Sequence, residues 1–166
     1  MIFSPTYRKQ SVLEITPQFL REEHISALIL DVDNTLSYHD SQSAEAGVED
    51  WILLMRQTGV RMILLSNNTE SRVRPFAEHL GIPFISMGLK PVPFGIFRAV
   101  RLLKTVREEN TAPLKLRQVC MVGDQLFTDV LCGKFAGVRT ILTEPFHIED
   151  DRLFRLKRRL ENMLIR

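Results

Sequence analysis

Apolar residues fall into two patterns along this chain. Short unbroken runs, such as ALIL at 27–30, MILL at 62–65 and VCMV at 119–122, predict strands buried on both faces, the usual state in a parallel sheet. Between them, apolar positions recur at three- and four-residue steps. Trp51, Leu54 and Met55 form one such stripe, and Phe94, Phe97, Val100 and Leu103 another, each reading as the core face of a helix. Punctuation agrees with the periods. Thr16 and Pro17 make a helix start, and Gly59, Gly81 and Gly137 make helix ends. The expected order is a helix at 17–23, strand 27–32, helix 48–58, strand 61–66, helix 70–80, strand 83–87, a helix from about 93, strand 118–122, a helix ending near 136, and strand 138–142. Residues 150–166 read as a final helix. Alternating strands and helices predict a doubly wound α/β fold with a parallel five-stranded sheet. No repeat or linker interrupts it, so one domain is expected, with residues 1–26 as an approach segment.

Length and composition fit that picture. The chain has 166 residues, 45% of them hydrophobic, and a net charge of +2. Global charge names no partner, and no nucleic acid is expected. There is no apolar run near the ~20 residues of a membrane span, and the opening MIFSPTYRKQ lacks the apolar centre of a signal peptide. Cys120 and Cys132 fall in apolar and helical surroundings and read as packing residues. A reducing, cytoplasmic setting is expected. Charge is uneven, however: residues 152–166 carry six basic side chains and one acid, Glu161. Leu153, Leu156, Leu160, Met163 and Leu164 form a helical stripe there. The stripe is expected to cover the sheet, and the arginines beside it to attract anionic surfaces such as a membrane.

Chemistry collects at the predicted strand ends. Right-handed crossovers place all carboxyl ends on one rim, where open α/β sheets bind ligands. That rim would carry Asp31 and Asp33, Ser66 and Asn67, Lys90, Asp124 and Asp129. If the first strand keeps its pleat, Asp31 and Asp33 project to the same side. Four acids brought together need a cation, and hard oxygen donors suit Mg²⁺. A lysine and the N-terminus of the 70–80 helix need an anion. A metal with an anion implies a phosphate. No Walker loop and no GxGxxG is present. His39 and Asp40 are near enough to the first acids to reach a ligand, but they read as a solvated loop. Trp51 reads as core.

The ordered set DVDNT, SNN, KP and GDQLFTD resembles the four motifs of the haloacid-dehalogenase-like (HAD) phosphatase superfamily. The finer pattern, including ITP before the first strand, resembles the YqeG family, related to phosphatidylglycerophosphate phosphatases. The resemblance implies a mechanism. Asp31 would be the nucleophile that forms an aspartyl-phosphate. Asp33 would be general acid and then general base, with its backbone carbonyl on Mg²⁺. Ser66 and the Asn67 backbone would hold the phosphoryl oxygens. Lys90 would neutralise charge and keep Asp31 ionised. Asp124 would ligate Mg²⁺ directly, and Asp129 through water or by orienting the ligand shell.

Spacing bears on the substrate. Asp33 to Ser66 spans 33 positions and Ser66 to Lys90 spans 24, both used by ordinary elements. Neither interval holds a substantial cap domain, so the site should be open, which suits a large substrate or one on a surface. A phosphorylated lipid such as phosphatidylglycerophosphate fits. The rivals are a capless phosphatase for a sugar phosphate, phosphoprotein or nucleic-acid end, and a non-enzymatic scaffold for ribosome-assembly or GTPase partners. Oligomeric state is not legible.

Overall fold

The computed structural model describes residues 2–38, 41–105 and 113–146. His39, Asp40 and the expected C-terminal helix lie outside the described residues. In chain order the elements are β1 (Tyr7–Lys9), α1 (Pro17–Glu22), β2 (Ala27–Leu30), α2 (Val48–Gln57), β3 (Arg61–Leu65), α3 (Glu70–Leu80), β4 (Phe84–Ile85), α4 (Phe94–Thr105), β5 (Val119–Gly123), α5 (Leu131–Ala136) and β6 (Arg139–Thr143). The strands form one sheet in the order β1-β6-β5-β2-β3-β4, with every pair parallel.

The sheet has six strands where the sequence predicts five. The additional one, β1, is an edge strand of three residues, Tyr-Arg-Lys, and shows no apolar run because only one side of it is covered. It is latched by Thr6, whose N–H donates to Thr140 Oγ1 (3.0 Å) while the Thr140 N–H donates back to Thr6 Oγ1 (3.1 Å). Within the expected approach segment, residues Tyr7–Lys9 thus belong to the sheet itself.

Strand alternation divides the core in two. Leu28, Leu30, Met62, Leu64, Cys120 and Val122 pack with α1, α2 and α3. Ala27, Ile29, Ile63, Leu65, Val119 and Met121 pack with α4 and α5. This two-sided burial is why the strands read as unbroken apolar runs. Trp51 is core, as expected, and its indole N–H donates to the Ile15 carbonyl at 2.8 Å. Both cysteines are buried and unbridged.

Two helical stripes are corrected. The core face of α2 is Val48, Trp51, Ile52 and Met55, and Leu54 is exposed. In α4 the buried side is Gly95, Ile96, Ala99, Val100 and Leu103, while Phe94 and Phe97 face solvent. The small residues Gly95 and Ala99 face inward because the helix lies close to the sheet and to the loop after β4: a Cβ at Gly95 would stand 2.8 Å from Leu65 Cδ1 on β3 and 2.6 Å from the Gly88 carbonyl oxygen.

Strand β2 is central, between β5 and β3. The chain builds outward on one side through β3 and β4, then returns to the other through β5 and β6. The crevice between β2 and β5 is the topological switch point. Among the described residues, 33–66 hold two isolated loop bridges, α2 and β3, and 66–90 hold α3 and β4, so no cap covers the rim.

Candidate active site

Asp31 follows directly on β2, and its N–H still donates to Val122 on β5 at 2.9 Å. The chain then turns sharply. The N–H groups of Thr35, Leu36 and Ser37 all converge on the Val32 carbonyl, and Asn34 takes φ 58°. Asparagine tolerates that left-handed conformation, which explains its place here. The strand thus ends before the pleat could carry both acids to one partner. Asp31 points to Lys90 and Asp129, whereas Asp33 is held by Asn68 Nδ2 (2.6 Å) and Arg72 Nη2 (2.8 Å). The shared rim position of the two acids holds, but their side chains serve different neighbours.

Lys90 is the centre of the buried cluster. Its Nζ lies 2.6 Å from Asp31 Oδ1 and 2.6 Å from Asp129 Oδ1. Burial alone would lower the lysine, but the Asp129 and Asp31 carboxylates outweigh it and hold the ammonium charged well above its ordinary value. Burial lifts Asp31 above the ordinary carboxylate range, Lys90 pulls it down, and Asp129 pushes it up again.

Asp129 reaches the cluster through a π-helical turn, Leu126–Val130, inserted before α5. Such turns are rare and recur at functional sites because they re-aim a side chain. The second carboxylate oxygen of Asp129 accepts from the Gln125 N–H at 3.1 Å. Gly123 makes the approach possible, because a Cβ there would overlap the Asp129 carboxylate. Asp129 thus holds the Lys90 ammonium with one carboxylate oxygen and the Gln125 N–H with the other.

Carboxylate oxygens of Asp31, Asp124 and Asp129 lie within 4.8 Å of one another, all buried. Three acids against one ammonium leave excess negative charge in a place water does not screen. An all-oxygen donor set of that charge fits a hard divalent cation. The Asp33 carboxylate stands outside this cluster.

Ser66 and Asn67 follow β3. Ser66 is buried, and its hydroxyl oxygen accepts from the Asn68 N–H at 3.1 Å, which leaves the hydroxyl proton to donate. The Asn67 side chain is turned to the Lys90 backbone, so only its main chain is available to an anion. All seven predicted residues thus stand on one rim. The sequence reading had Asn68 only as part of SNN, with no tie to Asp33, and missed Arg72. Arg72 carried a signal: a cation in the first turn of a helix opposes the macrodipole, so it needs an acid opposite.

The sequence matches the family described as Mitochondrial PGP phosphatase over residues 2–147. It is 36% identical over 163 residues to the Probable phosphatase YqeG of Bacillus subtilis (strain 168), covering 98% of this chain and 90% of that protein. The fold is shared with the cobalt-bound form of the deoxy-D-mannose-octulosonate 8-phosphate phosphatase of Haemophilus influenzae. That structure has TM-score 0.52 and 18% identity over 86% of this chain and 88% of that one. A putative 3-deoxy-D-manno-octulosonate 8-phosphate phosphatase from Vibrio cholerae matches at TM-score 0.51 and 17% identity, covering 67% and 63% of the two chains. Motifs, rim geometry and relatives agree, and this chain belongs to the PGP phosphatase family of HAD-fold phosphatases.

Proposed function

We propose that the enzyme hydrolyses a lipid phosphomonoester of the phosphatidylglycerophosphate type through an aspartyl-phosphate on Asp31. The observation that carries this reading is the Lys90 ammonium bridging Asp31 and Asp129 within a buried three-acid cluster. Asp31, Asp124 and Asp129, with the Asp33 carbonyl, would hold Mg²⁺. When bound, the cation offsets the negative charge that would otherwise keep a phosphate away from Asp31.

The chain's own residues supply the rest. Lys90, Ser66 and main-chain N–H groups after β3 hold the phosphoryl oxygens as charge develops on them. An Asp31 carboxylate oxygen forms a bond to phosphorus while the ester oxygen leaves and takes a proton from Asp33. Asp33 then removes a proton from water, whose oxygen attacks the same phosphorus. Inorganic phosphate departs and the Asp31 carboxylate is restored. Because Asp33 sits beside the acid cluster and not inside it, proton transfer and nucleophilic attack fall to separate groups. An uncapped rim suits a headgroup presented at a surface, so the enzyme would work in the cytoplasm, peripherally at the inner membrane face. Among the described residues no helix is long and apolar enough to cross a membrane.

The test is a Mg²⁺-supplemented phosphatase assay comparing phosphatidylglycerophosphate in detergent with sugar phosphates, phosphopeptides and 5′-phosphorylated oligonucleotides. Preferential release of phosphate from the lipid is expected. Equal or better turnover of a soluble substrate would overturn the lipid reading, and no turnover of any would overturn the mechanism.

A further inference from the structure

The loop that delivers Lys90 has an unusual exterior. Met87, Leu89, Val92, Phe94 and Phe97 are all 49–59% exposed, although each is large and apolar. Scattered exposed apolar residues are ordinary, but five within eleven positions beside a reactive rim mark an interaction surface. The backbone is also forced. Met87 and Leu89 take φ 50° and 57°, a left-handed conformation that bulky side chains seldom adopt.

The loop is held in that shape from within. The Met87 N–H donates to the Asn68 carbonyl and the Gly88 N–H to the Ser66 carbonyl, both at 2.9 Å. A Cβ at Gly88 would come within 2.7 Å of Leu65 Cδ1. With Gly95 packed against Gly88, loop and helix start form one body. Alternate residues are thereby sorted: Gly88 and Lys90 point inward, and Met87 and Leu89 point outward.

Helix α4 continues the surface with a change of character. Its outer side carries Phe94, Phe97, Arg98, Arg101, Leu102 and Lys104, and the helix contains no acid. The phenylalanines occupy the end nearest the rim. At 1.5 Å per residue, Arg98 and Arg101 follow about 6 and 10 Å further along. Apolar tips backed by cations at that depth match an acyl boundary backed by anionic headgroups.

We infer that the 87–97 loop and the outer side of α4 form the surface by which this enzyme docks on an anionic lipid layer. The inference rests on the lipid-phosphate reading only for its purpose. Charge complementarity selects the occupant, since among the described residues α4 carries cations and no acid of its own, and an anionic bilayer supplies both required chemistries. Docked this way, Lys90 and the acid cluster are carried to the headgroup plane by the loop that makes the contact.

The experiment is cosedimentation with phosphatidylglycerol vesicles that contain no phosphomonoester, so that docking is read apart from turnover. Wild-type protein is expected to bind at low salt and to release as salt rises. Phe94→Ser with Phe97→Ser should weaken binding by at least about tenfold, and Arg98→Gln with Arg101→Gln by roughly tenfold with a shallower salt dependence. Both variants should keep the wild-type melting temperature and wild-type turnover of a soluble aryl phosphate. Absence of wild-type binding at low salt overturns the docking surface. So does wild-type binding by the phenylalanine variant, which would place docking elsewhere. A dimer that dissociates on the phenylalanine substitutions overturns it in favour of a self-interface. Failure to hydrolyse phosphatidylglycerophosphate in detergent, with vesicle binding lost in the variants, would sink the substrate reading and leave the docking surface standing.

Discussion

Asn67 grips the backbone of Lys90 on both sides: its side-chain N–H₂ donates to the Lys90 carbonyl at 3.0 Å, and its side-chain oxygen accepts from the Lys90 N–H at 2.7 Å. The end of β3 thereby sets where the lysine of the following loop stands. The two-way bond needs an amide, because a carboxylate cannot donate and an aliphatic group can do neither. Asn67→Ala and Asn67→Asp should each lower kcat by about 10- to 100-fold, with a smaller change in KM, since they let Lys90 drift without removing a substrate contact. Steady-state kinetics on a soluble aryl phosphate checks this. Unchanged kcat in both variants would remove Asn67 from the positioning of Lys90.

Asp31→Asn should abolish turnover and leave the fold intact. Lys90 retains Asp129 at 2.6 Å, so the buried ammonium is not stranded. Loss of a nucleophile commonly costs several orders of magnitude. Activity within tenfold of wild type would exclude Asp31 as the attacking group.

Cation binding has a readout besides activity. Three buried carboxylates against one lysine repel one another, and a bound divalent ion relieves that repulsion only in the folded state. At about 100 times its Kd, Mg²⁺ should add roughly 2.7 kcal/mol and raise the melting temperature by several degrees. Chelator should reverse the shift, and Asp124→Ala should show none of it. A melting temperature indifferent to Mg²⁺ would count against the metal site.

Gly123→Ala should damage the site from the sheet side. The new Cβ would overlap the Asp129 carboxylate, which has no slack between Lys90 and the Gln125 N–H. A cost of about 1–3 kcal/mol in stability is expected, with a loss of turnover like that of Asp129→Ala. Chemical denaturation with parallel kinetics measures both, and a variant of wild-type stability and activity would show that the turn yields freely.

Arg72 is the cation paired with Asp33, at 2.8 Å and largely shielded from water. Arg72→Gln should lower kcat by about 10-fold or more, with Arg72→Lys recovering part of the loss, because the lysine keeps the charge but not the planar fork. Equal rates in the two variants would mean that the charge at this position is immaterial.

The backbone scaffold was largely written in the sequence. Continuous apolar runs forced strands covered on both sides, helical spacing filled the intervals, and the chain reversals at Gly81 and Gly137 follow from left-handed backbone that glycine adopts freely. Helix α3 spans Glu70–Leu80 as predicted, because Thr69 and Gly81 bound it on either side. The rim followed as well, since parallel crossovers leave no other place for Asp31, Ser66, Lys90 and Asp124. Partner choice was decided only in three dimensions. Adjacency along the chain suggested that Asp31 and Asp33 act together. The turn on Val32 sends one to Lys90 and the other to Arg72, two contacts separated by 59 and 39 residues. The edge strand β1 was hidden because its lateral partner, β6, lies more than 130 residues away and a half-covered strand has no apolar run to show. Phe94 and Phe97 were read inward on their apolar character and helical spacing. Close packing of Gly95 against Gly88 rotates the helix so that its small residues meet the sheet, and volume, which a hydrophobic pattern does not encode, puts the phenylalanines outside.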